Sequence, residues 1–81
     1  MRIEVTASDI RYGIRRECLR CPIARALKRA TGEDWSVGDV NGYPLRDKIE
    51  GVAYWPNEVC AWIEDFDHER VVQPFAFELD I

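Results

Sequence analysis

The spacing of apolar residues changes along this chain from alternation to a helical repeat and back to alternation. Ile3 and Val5 alternate with polar neighbours near the start, and apolar and polar residues alternate again over 75–80. Two segments between them place apolar residues at positions i, i+3, i+4 and i+7, the spacing of one helix face. These stripes are Ile23, Ala26, Leu27 and Ala30, and then Val59, Trp62, Ile63 and Phe66. The chain therefore combines strands at both ends with amphipathic helices between them, which predicts an α+β fold.

Turn and capping signals predict where these elements begin and end. Pro22 suits the first turn of a helix, where its missing N–H costs nothing, and Thr31-Gly32 is a stop signal. Strands are predicted over 35–40 and 51–55, joined by a long irregular loop that contains Asn41-Gly42-Tyr43-Pro44. With a short helix after the first strand, the expected order is β-α-α-β-β-α-β.

Length and composition fit one small domain. We expect 81 residues, 1–81, to form a single domain with a three- to four-stranded, mainly antiparallel sheet and helices packed on one face. The first and last strands are candidates for neighbours. No apolar run approaches the roughly 18–20 residues of a membrane span, and the start has no apolar signal segment. An odd number of cysteines argues against a secreted disulfide scaffold, so a cytoplasmic protein with reduced thiols is expected.

The pair Cys18-x-x-Cys21 allows three interpretations. It has the spacing of half a zinc site, which Cys60 and His68 would complete. It could instead be a redox pair, with Cys21 at the N-terminus of the Pro22 helix. The third interpretation is that the thiols are inert and help to pack a core-forming helix, and this one is favoured because no second Cys-x-x-Cys is present. We therefore expect no cofactor.

Charge is divided unevenly between the two halves of the chain. The net charge is −4. The segment 11–29 is nevertheless basic, and the segment 57–81 is acidic. The cations of the basic segment are Arg11, Arg15, Arg16, Arg20, Arg25, Lys28 and Arg29. They could bind phosphates of a nucleic acid, or they could form a solvated face that pairs with the acidic half.

Catalytic patterns are weak, whereas aromatic residues are abundant. His68 is the single histidine, and no serine or cysteine pairs with it and a carboxylate at a recognisable spacing, so no enzyme is expected. A domain this small has difficulty burying three Trp and three Tyr. Exposed aromatic residues often anchor protein interfaces, and Tyr43 and Trp55 are the candidates for binding a partner.

Two terminal motifs resemble a known group of proteins. An Ile-x-Val-Thr strand leads to Cys18-x-x-Cys21-Pro-Ile-Ala-x-Ala-Leu27, and the chain approaches its end with Gln73-Pro-Phe-Ala-Phe-Glu-Leu79. This resembles small proteins of actinobacterial phages and prophages that carry Cys-Pro-(Val/Ile)-Ala-x-Ala-Leu near the start and Pro-Phe-x-Phe-x-Leu at the end. The resemblance covers both ends but not residues 33–55. It implies a phage or mobile-element origin and a bacterial cytoplasm, and it carries no established activity.

These observations lead to one principal functional hypothesis and two alternatives. The principal one is a small non-enzymatic phage-type protein that binds a host protein, for example as an inhibitor of a host or defence factor. The alternatives are a nucleic-acid-binding module that uses the basic segment and a zinc-stabilised domain. We expect a monomer or homodimer with no membrane partner.

Overall fold

The computed structural model describes residues 1–45 and 52–80. These residues form three helices and five strands. In chain order they are β1 (Arg2–Val5), α1 (Ala7–Tyr12), α2 (Pro22–Thr31), β2 (Trp35–Val37), β3 (Asn41–Pro44), β4 (Ala53–Tyr54), α3 (Asn57–Asp67) and β5 (Phe75–Glu78). The predicted α+β class and the order of helices and strands are confirmed, and β3 is an additional strand in the segment expected to be a loop. Of the strand predicted over 51–55, β4 covers two residues, and Gly51 lies outside the described residues.

The strands form two antiparallel sheets. β1 pairs with β5, with Ile3 opposite Phe77, so the first and last strands are neighbours as expected. The second sheet has the order β2-β3-β4. α2 packs against both β1 and β2, so it lies where the two sheets meet. The strands therefore divide into two sheets, and α2 packs against both of them.

β3 tolerates a proline because of the position of Pro44 in the sheet. The N–H of the next residue, Leu45, donates to the carbonyl of Asp34 at 2.9 Å. Since alternate residues of a strand direct their N–H groups to opposite sides, the nitrogen of Pro44 faces away from β2. On that side β4 pairs with Asn41 and Gly42 only, within the described residues. The missing N–H therefore removes no hydrogen bond between the strands that the structure describes. Asn41 and Gly42 consequently lie within β3 and do not form the predicted loop.

The predicted helical stripes form the core. Ile23, Ala26 and Leu27 of α2 are buried, as are Val59, Ile63 and Phe66 of α3, whereas Ala30 is exposed. The strands contribute Ile3, Val5, Trp35, Val37 and Phe77, and the core also includes Cys21, Ala24, Trp55 and Leu79. Among the described residues, no helix is both long and apolar enough to cross a membrane.

The helix ends follow from local chemistry. Thr6 and Asp9 form a reciprocal capping box at the start of α1. α2 begins with Pro22 after the N-cap residue Cys21, and it ends at Gly32, whose φ of 79° is the left-handed conformation that glycine adopts at little cost. These residues determine where α2 begins and ends. The preceding segment 13–21 is exposed except for the half-buried Gly13 and the buried Cys21.

Candidate functional site

An apolar surface lies on the outer face of the second sheet. Tyr43 of β3 is 48% exposed, and Tyr54 of β4 is 71% exposed. The residue opposite Tyr54 is Asn41, two positions before Tyr43, so both tyrosines project from the same face. By the same alternation Leu45 and Val52, both exposed, extend this face beyond the strand ends. We refer to Tyr43, Leu45, Val52 and Tyr54 as the tyrosine face.

The opposite side of the same sheet holds the strands in place. Gly42 is buried against the Trp55 ring, which leaves no room for a side chain at position 42. The indole Nε1 of Trp55 donates to the carbonyl oxygen of Gly38 at 3.0 Å, and the ring centroid lies 6.4 Å from that of Trp35. These contacts fix the backbone that carries the two tyrosines.

The prediction that Trp55 is exposed for partner binding is wrong. Trp55 is 5% exposed and belongs to the core. The exposed residue is its neighbour Tyr54, because adjacent residues of a strand face opposite sides. The alternation of strand residues could have predicted the exposure of Tyr54 from the sequence. If Trp55 faces the core, its neighbour Tyr54 must face solvent. Tyr43, the other predicted residue, is exposed.

The predicted basic site divides into cations whose side chains form ion pairs or hydrogen bonds and cations whose side chains form neither within residues 1–45 and 52–80. Arg25 and Arg29 both reach the carboxylate of Asp9, and Lys28 pairs with Asp34 at 2.8 Å. The Nε of Arg15 donates to the carbonyl oxygen of Phe66. Four of the seven predicted phosphate-binding residues therefore stabilise the fold.

The remaining three cations are Arg11, Arg16 and Arg20, whose side chains are exposed and form no ion pair within residues 1–45 and 52–80. Arg11 lies beside Tyr12, with its guanidinium 5.5 Å from the ring centroid. Arg25 lies 5.7 Å from the same ring. Tyr12 is 60% exposed, so this surface combines cations with one accessible aromatic ring.

Asp9 is a buried carboxylate in the first turn of α1. Its side chain is fully buried and accepts hydrogen bonds from Arg29 through both oxygens, at 2.9 and 2.6 Å. The backbone N–H of Thr6 donates to Oδ2 at 2.9 Å. Burial by itself raises the pKa of Asp9, but the hydrogen bonds from Arg29 and Thr6 lower this pKa below its ordinary value. Asp9 therefore links α1 to α2 as a charged carboxylate.

A cleft of about 380 Å³ lies between the segment before α2, the end of β2 and the C-terminal half of α3. Its apolar wall includes Ile23, Val37 and Trp62. Cys18 and Cys21 both line it, and so does His68. Of the two thiols, Cys18 is exposed and Cys21 is buried.

The predicted zinc site is not formed. Within residues 1–45 and 52–80, no group of three or more His, Cys, Asp or Glu side chains is arranged to hold a metal ion. Cys60 is near the start of α3, where its Sγ lies 3.8 Å from the carbonyl oxygen of Trp55, whereas His68 caps the other end of that helix. Eight residues of helix span about 12 Å, which is too far for one zinc ion with bonds of about 2 Å. Cys18 and Cys21 therefore lack the two further ligands that the prediction required.

Comparison with known proteins adds no family assignment. No family model, curated protein or solved structure matches the chain. The functional conclusions below therefore rest on the residues and contacts described above.

Proposed function

We propose that this protein is a small binding protein that covers a surface of another protein with its tyrosine face. The observation that carries this proposal is the exposure of Tyr43 and Tyr54 side by side on one face of a sheet. Contiguous exposed apolar surface on a small domain often marks an interaction site. Tyrosine is enriched at such sites because its ring supplies buried area and its hydroxyl still finds a hydrogen-bond partner.

The contacts that hold the strands of the tyrosine face in place favour tight binding. Both tyrosines project from strands held by Trp55 and by the pairing of β3 with β2 and β4. A rigid surface loses little conformational freedom when it binds, so more of the contact energy contributes to affinity. Polar residues Ser36 and Asn41 lie on the same face and supply part of the rim that surrounds a hot-spot cluster.

The proposed partner is a host protein. The terminal motifs resemble those of phage and prophage proteins, which operate inside a bacterial host cell. A domain of this size acts most simply by occupying a surface that a host or defence factor needs. Binding would then inhibit that factor by excluding its own partners.

Replacing both tyrosines with threonine tests this proposal. Threonine keeps the preference for strands but removes the aromatic contact area. The immobilised protein should capture a partner from an actinobacterial host lysate, and the purified partner should bind the Tyr43→Thr/Tyr54→Thr variant at least about 30-fold more weakly, as expected for hot-spot residues. The matched control is Val71→Thr, which changes an exposed residue on the segment between α3 and β5.

Equal affinity of the wild-type protein and the double tyrosine variant would contradict the proposal. Native mass spectrometry provides a second check on the same proteins. A wild-type homodimer that the double variant converts to a monomer would assign the tyrosine face to self-association instead of host binding.

A second candidate function is nucleic-acid binding, and the specific observation in its favour is the contact of Arg11 and Arg25 with the exposed ring of Tyr12. Bases stack on such rings while cations contact phosphates. Because Arg11, Arg16 and Arg20 are exposed and form no ion pair within residues 1–45 and 52–80, single-stranded DNA should bind with a slope of about −2 for log affinity against log salt concentration. Fluorescence anisotropy with labelled DNA at low salt measures this slope, and no binding at low salt excludes the candidate.

A further inference from the structure

Cys18 and Cys21 belong to one closed turn. The carbonyl oxygen of Glu17 accepts hydrogen bonds from the N–H groups of Arg20 at 3.1 Å and of Cys21 at 3.0 Å. The two cysteines are therefore three residues apart within a single helix-like turn, where side chains at i and i+3 are neighbours. Such spacing falls in the range that a disulfide can bridge. The turn is also anchored, because the carbonyl oxygen of Cys18 accepts a hydrogen bond from Val37 of β2 at 2.8 Å.

The two thiols have different environments. Cys18 is exposed and can be reached by a reactant. Cys21 is buried at the N-cap of α2, where its Sγ accepts a hydrogen bond from the N–H of Ala24 at 3.4 Å. Burial raises the pKa of the Cys21 thiol, and the hydrogen bond from Ala24 acts in the opposite direction. The accessible Cys18 is therefore placed to attack a disulfide, and the shielded Cys21 is placed to resolve the mixed disulfide that results.

The surroundings fit a particular class of reactant. Both thiols line the cleft described above, whose apolar wall can hold the body of a small molecule. Arg16 lines this cleft together with Glu17, Asp39 and Asp67, whereas Arg20 does not. The cleft therefore fits a small-molecule disulfide by its size and apolar wall, and not by an attraction for anions.

We propose that Cys18 and Cys21 form a dithiol that reduces small-molecule disulfides at this cleft. The Cys18 thiolate attacks one sulfur of the substrate R–S–S–R, which forms a mixed disulfide and releases one R–S⁻. Cys21 then loses its proton to solvent and attacks the Sγ of Cys18, which forms the Cys18–Cys21 disulfide and releases the second R–S⁻. The substrate gains two electrons and the dithiol loses two. This activity is independent of the tyrosine face.

Intact mass spectrometry after incubation of the reduced protein with glutathione disulfide tests the proposal. The wild-type protein should become lighter by two hydrogens, with release of two reduced glutathione molecules. Cys21→Ser should stop at a product heavier by one glutathionyl group at Cys18, because no resolving thiol remains. Serine is a favourable N-cap residue, so this variant should keep α2 intact.

The other cysteine variants complete the test. Cys18→Ser should leave no disulfide and no adduct at Cys21, whereas Cys60→Ser should behave like the wild-type protein. The proposal is wrong if the wild-type protein accumulates the glutathione adduct without resolving it, or remains fully reduced. It is also wrong if Cys60→Ser prevents the loss of two hydrogens.

Discussion

The variant Asp9→Ala is expected to unfold with a free energy about 3 kcal/mol lower than that of the wild-type protein, and at a temperature roughly 15 °C lower. The variant loses the two charge-assisted hydrogen bonds from Arg29 and the reciprocal cap with Thr6. It also loses the ion pair with Arg25, at 3.4 Å. Because Asp9 is fully buried, water cannot replace these contacts, so the loss is large for a domain of 81 residues. Urea unfolding and thermal unfolding followed by circular dichroism measure both quantities.

Asp34→Ala is the matched control for the change at Asp9. Asp34 also forms an ion pair, with Lys28, but both side chains are mostly exposed. Its removal should cost less than about 1 kcal/mol. Similar losses for the two variants would contradict the role assigned to the buried carboxylate.

The pH dependence of stability gives a second measure of the Asp9 contacts. The pKa of Asp9 is lowered in the folded protein from its ordinary value of 3.8, so folding favours the ionised form. This contribution is fully present above the unfolded-state pKa and is lost as the pH falls through the lower folded-state pKa. The stability difference between the wild-type protein and Asp9→Asn should therefore be constant near neutral pH and shrink at pH values below 3.8.

The variant Gly42→Ala is expected to lose about 3 kcal/mol of unfolding free energy. A methyl group at this position would lie 2.5 Å from Cζ2 of Trp55 and 2.6 Å from the carbonyl oxygen of Ser36. The second contact is with backbone, so β2 and β3 must separate or Trp55 must leave its site. Urea unfolding measures the loss, and a red shift of tryptophan fluorescence in the folded variant would report the displacement of Trp55.

Gly32→Ala is the control for Gly42→Ala, because it also replaces a glycine but creates no steric clash. Gly32 has a φ of 79°, and no atom lies within 4 Å of a Cβ placed there. Its substitution should cost about 1 kcal/mol, from the left-handed backbone alone. If Gly42→Ala costs no more than Gly32→Ala, close packing does not hold the sheet in the way proposed.

Hydrophobic periodicity predicted α2, α3 and the first and last strands of the chain, because these patterns are local in sequence. The stripes of α2 and α3 and the alternation of β1 and β5 each depend on residues within one element. The division into two sheets depends instead on contacts of α2 with β1 and β2, which local spacing does not encode. β3 was missed because Asn41-Gly42 and Pro44 are turn signals when considered apart from the strands on either side.

The candidate sites were predicted less completely for a related reason. Composition indicated surplus aromatic residues, but which of Tyr54 and Trp55 faces solvent depends on the register of β4 with β3. The sequence shows how many basic residues there are but not which of them are free to bind a phosphate. Asp9 of α1 decides this for Arg25 and Arg29 of α2, because it contacts both. The spacing of Cys18 and Cys21 was visible in the sequence, whereas the difference in their exposure was not.

Hydrogen–deuterium exchange of the complex with the captured partner tests the claim that the tyrosine face binds a protein. The exchange of backbone amides should slow on binding over residues 41–45 and 52–54 and stay unchanged over residues 11–20. Protection confined to residues 11–20, with none on β3 and β4, would contradict the claim and assign partner binding to the basic surface around Tyr12.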